Sequence, residues 1–353
     1  YVWKVKRTDL GTIAKWKVRY IVQGFRQRKG IDYEKTFASV ANIVTVRTLL
    51  AIACEMNWDV HQMDVKAAYL CSKLEKNVRM YIKCPKGYRL APGKSARLLR
   101  GLYGTKQGGV LWGALRTKTL KRIGFTQSLA DPSLYVRIDG DECCLVCCIV
   151  DDFVITGTNE KVLLFKKQIA QEWEMTDEGI LFWCLNLRVT RDKTKGLLKL
   201  DQEQYVEEIL RRFGIHDCNP RQTPMDESPI LFSDMCPVSD KKDDYSENFP
   251  YVEAIGSLLY LRLTRPDLMV AVSILAKFMK NPLKPHWQAV KVVFRYLKGS
   301  KRRGLLYKRT GGYRCQWSVE AGIMGGFGLC YGSGYSSIAC RISRISQCKF
   351  DYF

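Results

Sequence analysis

The sequence predicts a mixed α/β (α+β) fold, and three observations carry that prediction. The first is the stretch Cys143 to Gly157, CCLVCCIVDDFVITG. Seven mostly apolar residues (Cys143 to Ile149) run into Val150-Asp151-Asp152, and a second apolar run, Phe153 to Ile155, leaves. Short apolar runs flanking a tight polar pair read as a β-hairpin buried on at least one side. The second is the start of VHQMDVKAAYL, a strand-like run from Val60 that ends on Asp64. The third is helical periodicity. Val162, Phe165, Ile169 and Trp173 recur at spacings of 3, 4 and 4, and further helical patterns fill Tyr251 to Leu263, Pro266 to Met279 and His286 to Lys298.

The remaining elements follow in chain order. KWKVRYIV, from Lys15 to Val22, alternates basic with apolar or aromatic residues, which predicts a half-exposed strand with positive charge on one face. Thr45 to Met56 reads as an amphipathic helix. LYGTKQ, Leu102 to Gln107, opens a helix carrying Leu111, Trp112, Leu115, Leu120 and Ile123 on one broad face. Gln202 to Phe213 reads as a helix stopped by Gly214. Pro220 to Asn248, rich in Pro, Ser and Asp, reads as a surface linker. Pro266 suits the first turn of its helix.

With 353 residues, 46% of them hydrophobic, the chain holds a sizeable core of two or three subdomains and is not a disordered polymer. No apolar run approaches the roughly 20 residues of a membrane span, and no secretory signal pattern is present, so no membrane partner is expected. The net charge of +22 points to a polyanionic partner, most simply nucleic acid. Residues 1 to 30 hold nine Lys/Arg and one Asp, and residues 291 to 309 hold eight Lys/Arg and no acid. Aromatic residues interleave both clusters, as in a groove that tracks a phosphate backbone and stacks bases. Of the 14 cysteines, Cys143, Cys144, Cys147 and Cys148 contain a C-x-x-C spacing without a second ligand pair. Buried thiols acting as small apolar residues are the expectation there.

The chemistry lies in the acids. Adjacent carboxylates repel and lose solvation, so a buried pair needs cations, and Mg²⁺ takes one or two carboxylates plus the phosphates of a substrate. Taken alone, Asp151-Asp152 also fits a solvated turn. Asp64 changes the weighing. One acid after a strand and an acid pair on a hairpin, 87 residues apart counted from Asp64 to Asp151, form the acidic set of a two-metal polymerase palm.

From Val2 to about Gly311 the chain resembles copia-type retrotransposon reverse transcriptases. The matching words are KVRYIVQGF (Lys17 to Phe25), GIDYEKTFASV (Gly30 to Val40), QMDVKAAYL (Gln62 to Leu70), LYGTKQ, ADPSLYV (Ala130 to Val136), VDDFVITG (Val150 to Gly157), GSLLYL (Gly256 to Leu261), TRPDL (Thr264 to Leu268) and RYLKGS (Arg295 to Ser300). The resemblance implies a right-hand polymerase: fingers over 1–57, a palm with interleaved fingers segments over 58–200, and a thumb-like or connection-like helical region over 201–310. It implies an RNA-directed DNA polymerase that adds deoxynucleotides from dNTPs to a primer 3′-hydroxyl on an RNA or DNA template. Asp64, Asp151 and Asp152 would be catalytic and hold two Mg²⁺ ions, with Mn²⁺ as a substitute. Lys17 and Arg19 would meet the triphosphate and Gln107 the nucleotide. The ring of Tyr69 would lie under the sugar and exclude a 2′-hydroxyl; without the family, a core aromatic is an equal reading. The chain opens on Tyr1, and the protease, integrase and ribonuclease H parts of a polyprotein are expected outside it. Its place would be the cytoplasm, within a virus-like particle, or the nucleus.

Four departures keep open a second reading, a catalytically inactive remnant that at most binds nucleic acid. Ile149 stands where the family has Tyr, Gly108-Gly109-Val110 follows Gln107 in place of Ala-Pro-Arg or similar, and Asn186 replaces the glycine of a strand that the resemblance implies over Phe182 to Val189. Residues 311–353 carry no family word. From Tyr313 on, the only acids are Glu320 and Asp351, so no intact ribonuclease H domain is expected there.

Overall fold

The computed structural model describes residues 1–7, 12–74, 78–84, 87–225, 249–310 and 316–319. These fall into two units, Tyr1–Leu49 with Trp58–Ile180, and Leu50–Asn57 with the residues from Leu181 onward. Both units mix strands and helices, as the sequence predicts.

In the first unit, β1 (Val2–Arg7) and β2 (Ile13–Arg19) pair as an antiparallel ribbon. Opposed residues share a face. The register therefore puts Val2 with Arg19 and Lys4 with Lys17 on one side, and Trp3 with Val18 and Val5 with Trp16 on the other. The alternation in the sequence becomes one cationic and one apolar face, and Trp3, Trp16 and Val18 are all exposed. Helix α1 (Ile43–Glu55) begins in this unit and ends in the second. After it come β3 (Val60–Val65), the single-turn α2 (Ala68–Cys71), and a small ribbon of β4 (Met80–Ile82) and β5 (Ala96–Leu98). Then follow α3 (Gly108–Arg122), β6 (Thr126–Gln127), β7 (Leu134–Asp139), β8 (Glu142–Ile149), β9 (Asp152–Gly157), α4 (Asn159–Glu172) and β10 (Met175–Ile180).

Six of these strands form an antiparallel sheet in the order β10-β3-β9-β8-β7-β6. The predicted hairpin is its centre. Every residue of β8 after Glu142 and of β9 after Asp152 is buried, which is why both runs lack polar alternation. Cys144, Val146 and Cys148, two apart, enter one core with Trp112 and Leu120 of α3 and Val162, Phe165 and Ile169 of α4. Trp173, just past α4, meets Trp112 edge to face at 4.8 Å. All four cysteines of β8 are buried, as small apolar residues would be.

The second unit carries an antiparallel sheet of β11 (Trp183–Cys184), β12 (Leu187–Asp192), β13 (Leu197–Asp201), β14 (Gly304–Lys308) and β15 (Gln316–Val319), in that order. The single strand expected over Phe182 to Val189 is instead a hairpin. The chain turns at Leu185-Asn186, whose φ angles are +51° and +59°. Asn is among the few residues that tolerate the left-handed region, so Asn186 meets a conformational demand there. Helix α5 (Glu203–Arg212) ends before Gly214, at φ +65°. The expected linker over Pro220 to Asn248 lies outside the described residues from 226 on. Helices α6 (Tyr251–Leu261), α7 (Met269–Ala276) and α8 (Lys284–Gly299) follow the three predicted patterns, with a 3-10 turn at Pro266–Leu268 leading into α7. Their inward residues, among them Leu258, Val272, Val290 and Phe294, form a second core with Val206 and Ile209 of α5.

The basic run after Lys291 is expected along a nucleic acid, but most of it is used inside this unit. Arg295 and Lys298 donate to the carbonyls of Asn219 and Cys218. Lys301 and Arg302 pair with Glu207 and Glu203, and Arg303 donates to the Tyr296 hydroxyl. All of these cations but Arg303 meet carbonyls and acids that α5 and the chain after it present. Of the region beyond Gly311, residues 316–319 extend the sheet, and the rest lies outside the described residues.

Candidate active site

The tip of the β8–β9 hairpin is a two-residue turn. Ile149 and Asp152 close the ladder, and Val150 and Asp151 make the turn. Val150 takes φ +54°, a strained conformation for a β-branched residue. The tip is pinned from two sides. Trp112 Nε1 donates to the Val150 carbonyl at 2.8 Å, and the Val65 amide donates to the Asp151 carbonyl at 2.9 Å.

Strand β3 runs beside β9 in a register that sets Asp64 directly opposite Asp152. Opposed residues of an antiparallel pair share a face, with Cβ atoms about 5 Å apart, and like charges so placed destabilise. Gln62, two residues before Asp64, donates from Nε2 to Asp152 Oδ1 at 3.2 Å. Burial raises the Asp64 carboxyl above its usual range, and the charges of Asp152, Asp151 and Glu178 add to the rise while Lys17 opposes it. Asp151 is raised as well, by burial first. There Asp152 adds, while the Tyr103 hydrogen bond, Arg19 and Lys17 oppose. From the cationic face of the ribbon, Lys17 of β2 thus bears on both carboxylates and Arg19 on Asp151.

Asp151 Oδ1 is buried and has no hydrogen-bond partner among the described residues. An unsatisfied, desolvated carboxylate oxygen beside two more acids suits a hard divalent cation. No three His, Cys, Asp or Glu side chains among the described residues stand close enough to cage an ion by themselves. An ion of the Mg²⁺ type takes only one or two carboxylates and keeps waters and substrate oxygens in its coordination sphere.

Around the acids lies a layer that begins at Tyr103, a residue the sequence reading passed over. Its hydroxyl donates to Asp151 Oδ2 at 3.0 Å. Its ring meets the half-buried Tyr69 ring edge to face, centroids 4.7 Å apart, and the Arg19 guanidinium lies 5.3 Å from the ring centroid. Burial and the Asp151 charge push the Tyr103 phenol well above its ordinary range. The backbone is held where it carries this ring. The Val22 amide donates to the Tyr103 carbonyl at 2.9 Å. Gly104 follows at φ +89°, where a Cβ would stand 2.1 Å from the Val22 carbonyl oxygen. Tyr103 lies inside the LYGTKQ word, but nothing local signals its bond to a residue 48 positions on.

Gln107 precedes α3 and is buried. Its amide is used within the protein: Nε2 donates to the Asp32 carbonyl at 3.1 Å, and Oε1 accepts from Gln27 Nε2 at 3.0 Å. Among the described residues these bonds tie it to Gln27 and Asp32, and it braces the segment around Asp32. Gly108 and Gly109 fit a crowded helix start, since Cβ atoms there would lie 2.7 Å from Thr105 Oγ1 and 2.9 Å from Ala38 Cβ.

The geometry can be set beside known proteins. Residues 1–227 match the family model described as reverse transcriptase (RNA-dependent DNA polymerase). The chain is 32% identical over 305 residues to the retrovirus-related Pol polyprotein from transposon TNT 1-94 of Nicotiana tabacum, covering 85% of this chain and 23% of that protein. It is 33% identical to the corresponding polyproteins from transposons RE1 and RE2 of Arabidopsis thaliana, covering 88% of this chain and 21% of each of those proteins. The chain therefore spans between a fifth and a quarter of the length of these relatives.

Proposed function

The chain belongs to the reverse transcriptase (RNA-dependent DNA polymerase) family, in its copia-type retrotransposon branch, and from that premise we propose that it extends a primer 3′-hydroxyl with deoxynucleotides on an RNA or DNA template. The observation that carries this reading is the hairpin: Asp64 opposite Asp152, with Asp151 at the turn and one of its oxygens buried and unmatched.

Asp64, Asp151 and Asp152 would hold two Mg²⁺ ions, or Mn²⁺ in their place. The ions supply activation of the attacking hydroxyl and stabilisation of the leaving pyrophosphate. Every other contribution falls to the chain. Lys17 and Arg19 offset the negative charge of the triphosphate, as preorganised cations do for charge that grows at a leaving group. The Tyr69 ring meets the 2′ position of the sugar and excludes a hydroxyl there. Gln107, with Asp32 and Gln27, fixes the wall of the nucleotide pocket. In this reading residues 1–57 serve as fingers, 58–200 as palm with interleaved fingers segments, and 201–310 as a thumb-like helical region. The protease, integrase and ribonuclease H functions belong to other parts of a larger polyprotein.

Primer extension on an oligonucleotide template with Mg²⁺ tests the reading, comparing wild type with Asp151→Asn. Extension by wild type and its loss in the variant are expected. Equal extension by both proteins would remove Asp151 from the chemistry. Salt-sensitive duplex binding by a wild type that extends nothing would leave the inactive reading in its place.

A further inference from the structure

Tyr103 has three directed contacts, each to a residue with its own role in the polymerase reading. Its hydroxyl holds Asp151 Oδ2, its ring edge-packs against Tyr69, and Arg19 lies over its face. We propose that Tyr103 is a positioning residue that sets the Asp151 carboxylate for cation binding and, through the same ring, holds Tyr69 where it screens the sugar. The proposal deepens the polymerase reading and rests on it.

The carboxylate half follows from how Asp151 is bonded. Rotation of a carboxylate about its last side-chain torsion is soft, so an unrestrained Asp samples a broad range. Here one oxygen is held by a hydrogen bond from a residue whose backbone is tied to Val22. The other is left buried and unpartnered among the described residues. The hydroxyl thus fixes the plane of the group and leaves Oδ1 as the available ligand atom. Groups that orient a metal-binding side chain in this way are worth about 10–100-fold in metal affinity.

The ring half follows from where Tyr69 sits. Helix α2 is one turn of four residues, Ala68–Cys71, and the residue before it, Ala67, has φ +54°. So short a helix holds its side chains only through neighbours. An edge-to-face pair contributes beyond simple burial, and the Tyr69–Tyr103 geometry, 4.7 Å and 70°, lies in the favoured range. Removing the Tyr103 ring leaves Tyr69 free to turn away from the sugar.

The hydroxyl and the ring can be separated by substitution. In the full chain, Tyr103→Phe keeps the ring and removes the donor, while Tyr103→Leu removes both; Tyr103→Met replaces the latter if it melts early. The first readout is Mg²⁺ affinity by titration calorimetry without nucleic acid, and the second is the ratio of deoxy- to ribonucleotide incorporation. Tyr103→Phe is expected to lose about 10–100-fold in Mg²⁺ affinity with an unchanged incorporation ratio. Tyr103→Leu is expected to lose the same affinity and to admit ribonucleotides as Tyr69→Ala does. Wild-type Mg²⁺ affinity in Tyr103→Phe would overturn the carboxylate half, and wild-type discrimination in Tyr103→Leu would overturn the ring half. If wild type extends no primer, the polymerase reading fails by itself. The Mg²⁺ titration then still decides the first half, and calorimetric binding of a deoxy- against a ribonucleoside triphosphate decides the second.

Discussion

Asp151 and Asp267 are both carboxylates removed from water, and the protein treats them in opposite ways. Asp267 lies in the second unit beside Arg265, whose side chain is only 1% exposed. Arg265 Nε donates to Oδ1 at 3.0 Å and Nη2 to Oδ2 at 2.7 Å, and the Tyr296 hydroxyl adds a bond of 2.5 Å. Arg265 in turn donates to the carbonyl and hydroxyl of Ser300. Burial alone would push the Asp267 carboxyl up, yet these partners hold it below its ordinary range. At Asp151 the balance is reversed: burial and the neighbouring acid outweigh one tyrosine hydrogen bond and two cations acting through space. An acid that serves the fold has its cation built in. In the polymerase reading proposed above, the acid left raised, with an orphaned oxygen, is completed by what it binds.

The largest effect expected from that contrast is on catalysis. Asp151→Asn should cut primer extension by about 10²–10³-fold, the scale of losing one preorganised electrostatic partner. It should leave the thermal midpoint in EDTA unchanged or higher, because the variant removes a repelled, desolvated charge while Asn Oδ1 still accepts from Tyr103. A clear fall in the midpoint would show that Asp151 is a structural acid after all.

Asp267→Asn should do the reverse. It leaves Arg265 buried beside a neutral amide, and breaking a buried pair costs about 3–5 kcal/mol. Scanning calorimetry should show a midpoint lower by roughly 10 °C, at about 2–4 °C per kcal/mol for a domain of this size. Mg²⁺ affinity should stay as in wild type. A midpoint within experimental error of wild type would break the comparison from this side.

How far these features could be read in advance depends on how local their causes are. The three acids and their strand contexts were legible because Asp64 ends a strand-like run and Asp151-Asp152 interrupt two apolar ones. The helices of both units were legible from spacing, and the cysteines of β8 from their apolar flanks. Arg265 and Asp267 stand in plain view in TRPDL, but the partners that define their role, Tyr296 and Ser300, lie 29 and 35 residues away. The bond from Tyr103 to Asp151 is equally non-local. The turn at Leu185-Asn186 was missed because its left-handed pair contains no glycine, the usual mark of such a turn. The contacts of the basic run in and after α8 were not legible, because net charge does not tell which cations also pair within the fold.

pH separates the two acids further, in metal-free buffer. Asp267 has a lowered value, so its contribution is full above the unfolded value near 3.9 and is lost only as pH falls below it. Asp64 and Asp151 have raised values, so the folded state binds their protons more tightly than the unfolded state. Their repulsion is relieved as pH falls through those raised values, while Asp267 is still ionised. Any stability advantage of Asp151→Asn over wild type at pH 7 should therefore shrink as pH falls toward about 4. A gap that widens on acidification would mean that the sign at the hairpin is wrong.

The smallest expected effect concerns the backbone beneath Asp151. Val150 at φ +54° and Asn186 at φ +59° occupy the same left-handed region in two hairpin turns, one with a β-branched residue and one with a residue suited to it. The left-handed conformation costs an L-residue roughly 1–2 kcal/mol, and Asn bears it best among non-glycines. The Val150 strain is held by bonds on either side, from Trp112 to its carbonyl and from Val65 to the next one. Val150→Asn should therefore raise stability by about 1 kcal/mol without the unfolded-state entropy that Gly would add. Asn186→Val should lower it by a similar amount. Denaturant titration of both variants reads the pair. If Val150→Asn is destabilising, the half-buried isopropyl group contributes more through packing than its backbone costs, and the hairpin tip is not strained in net terms.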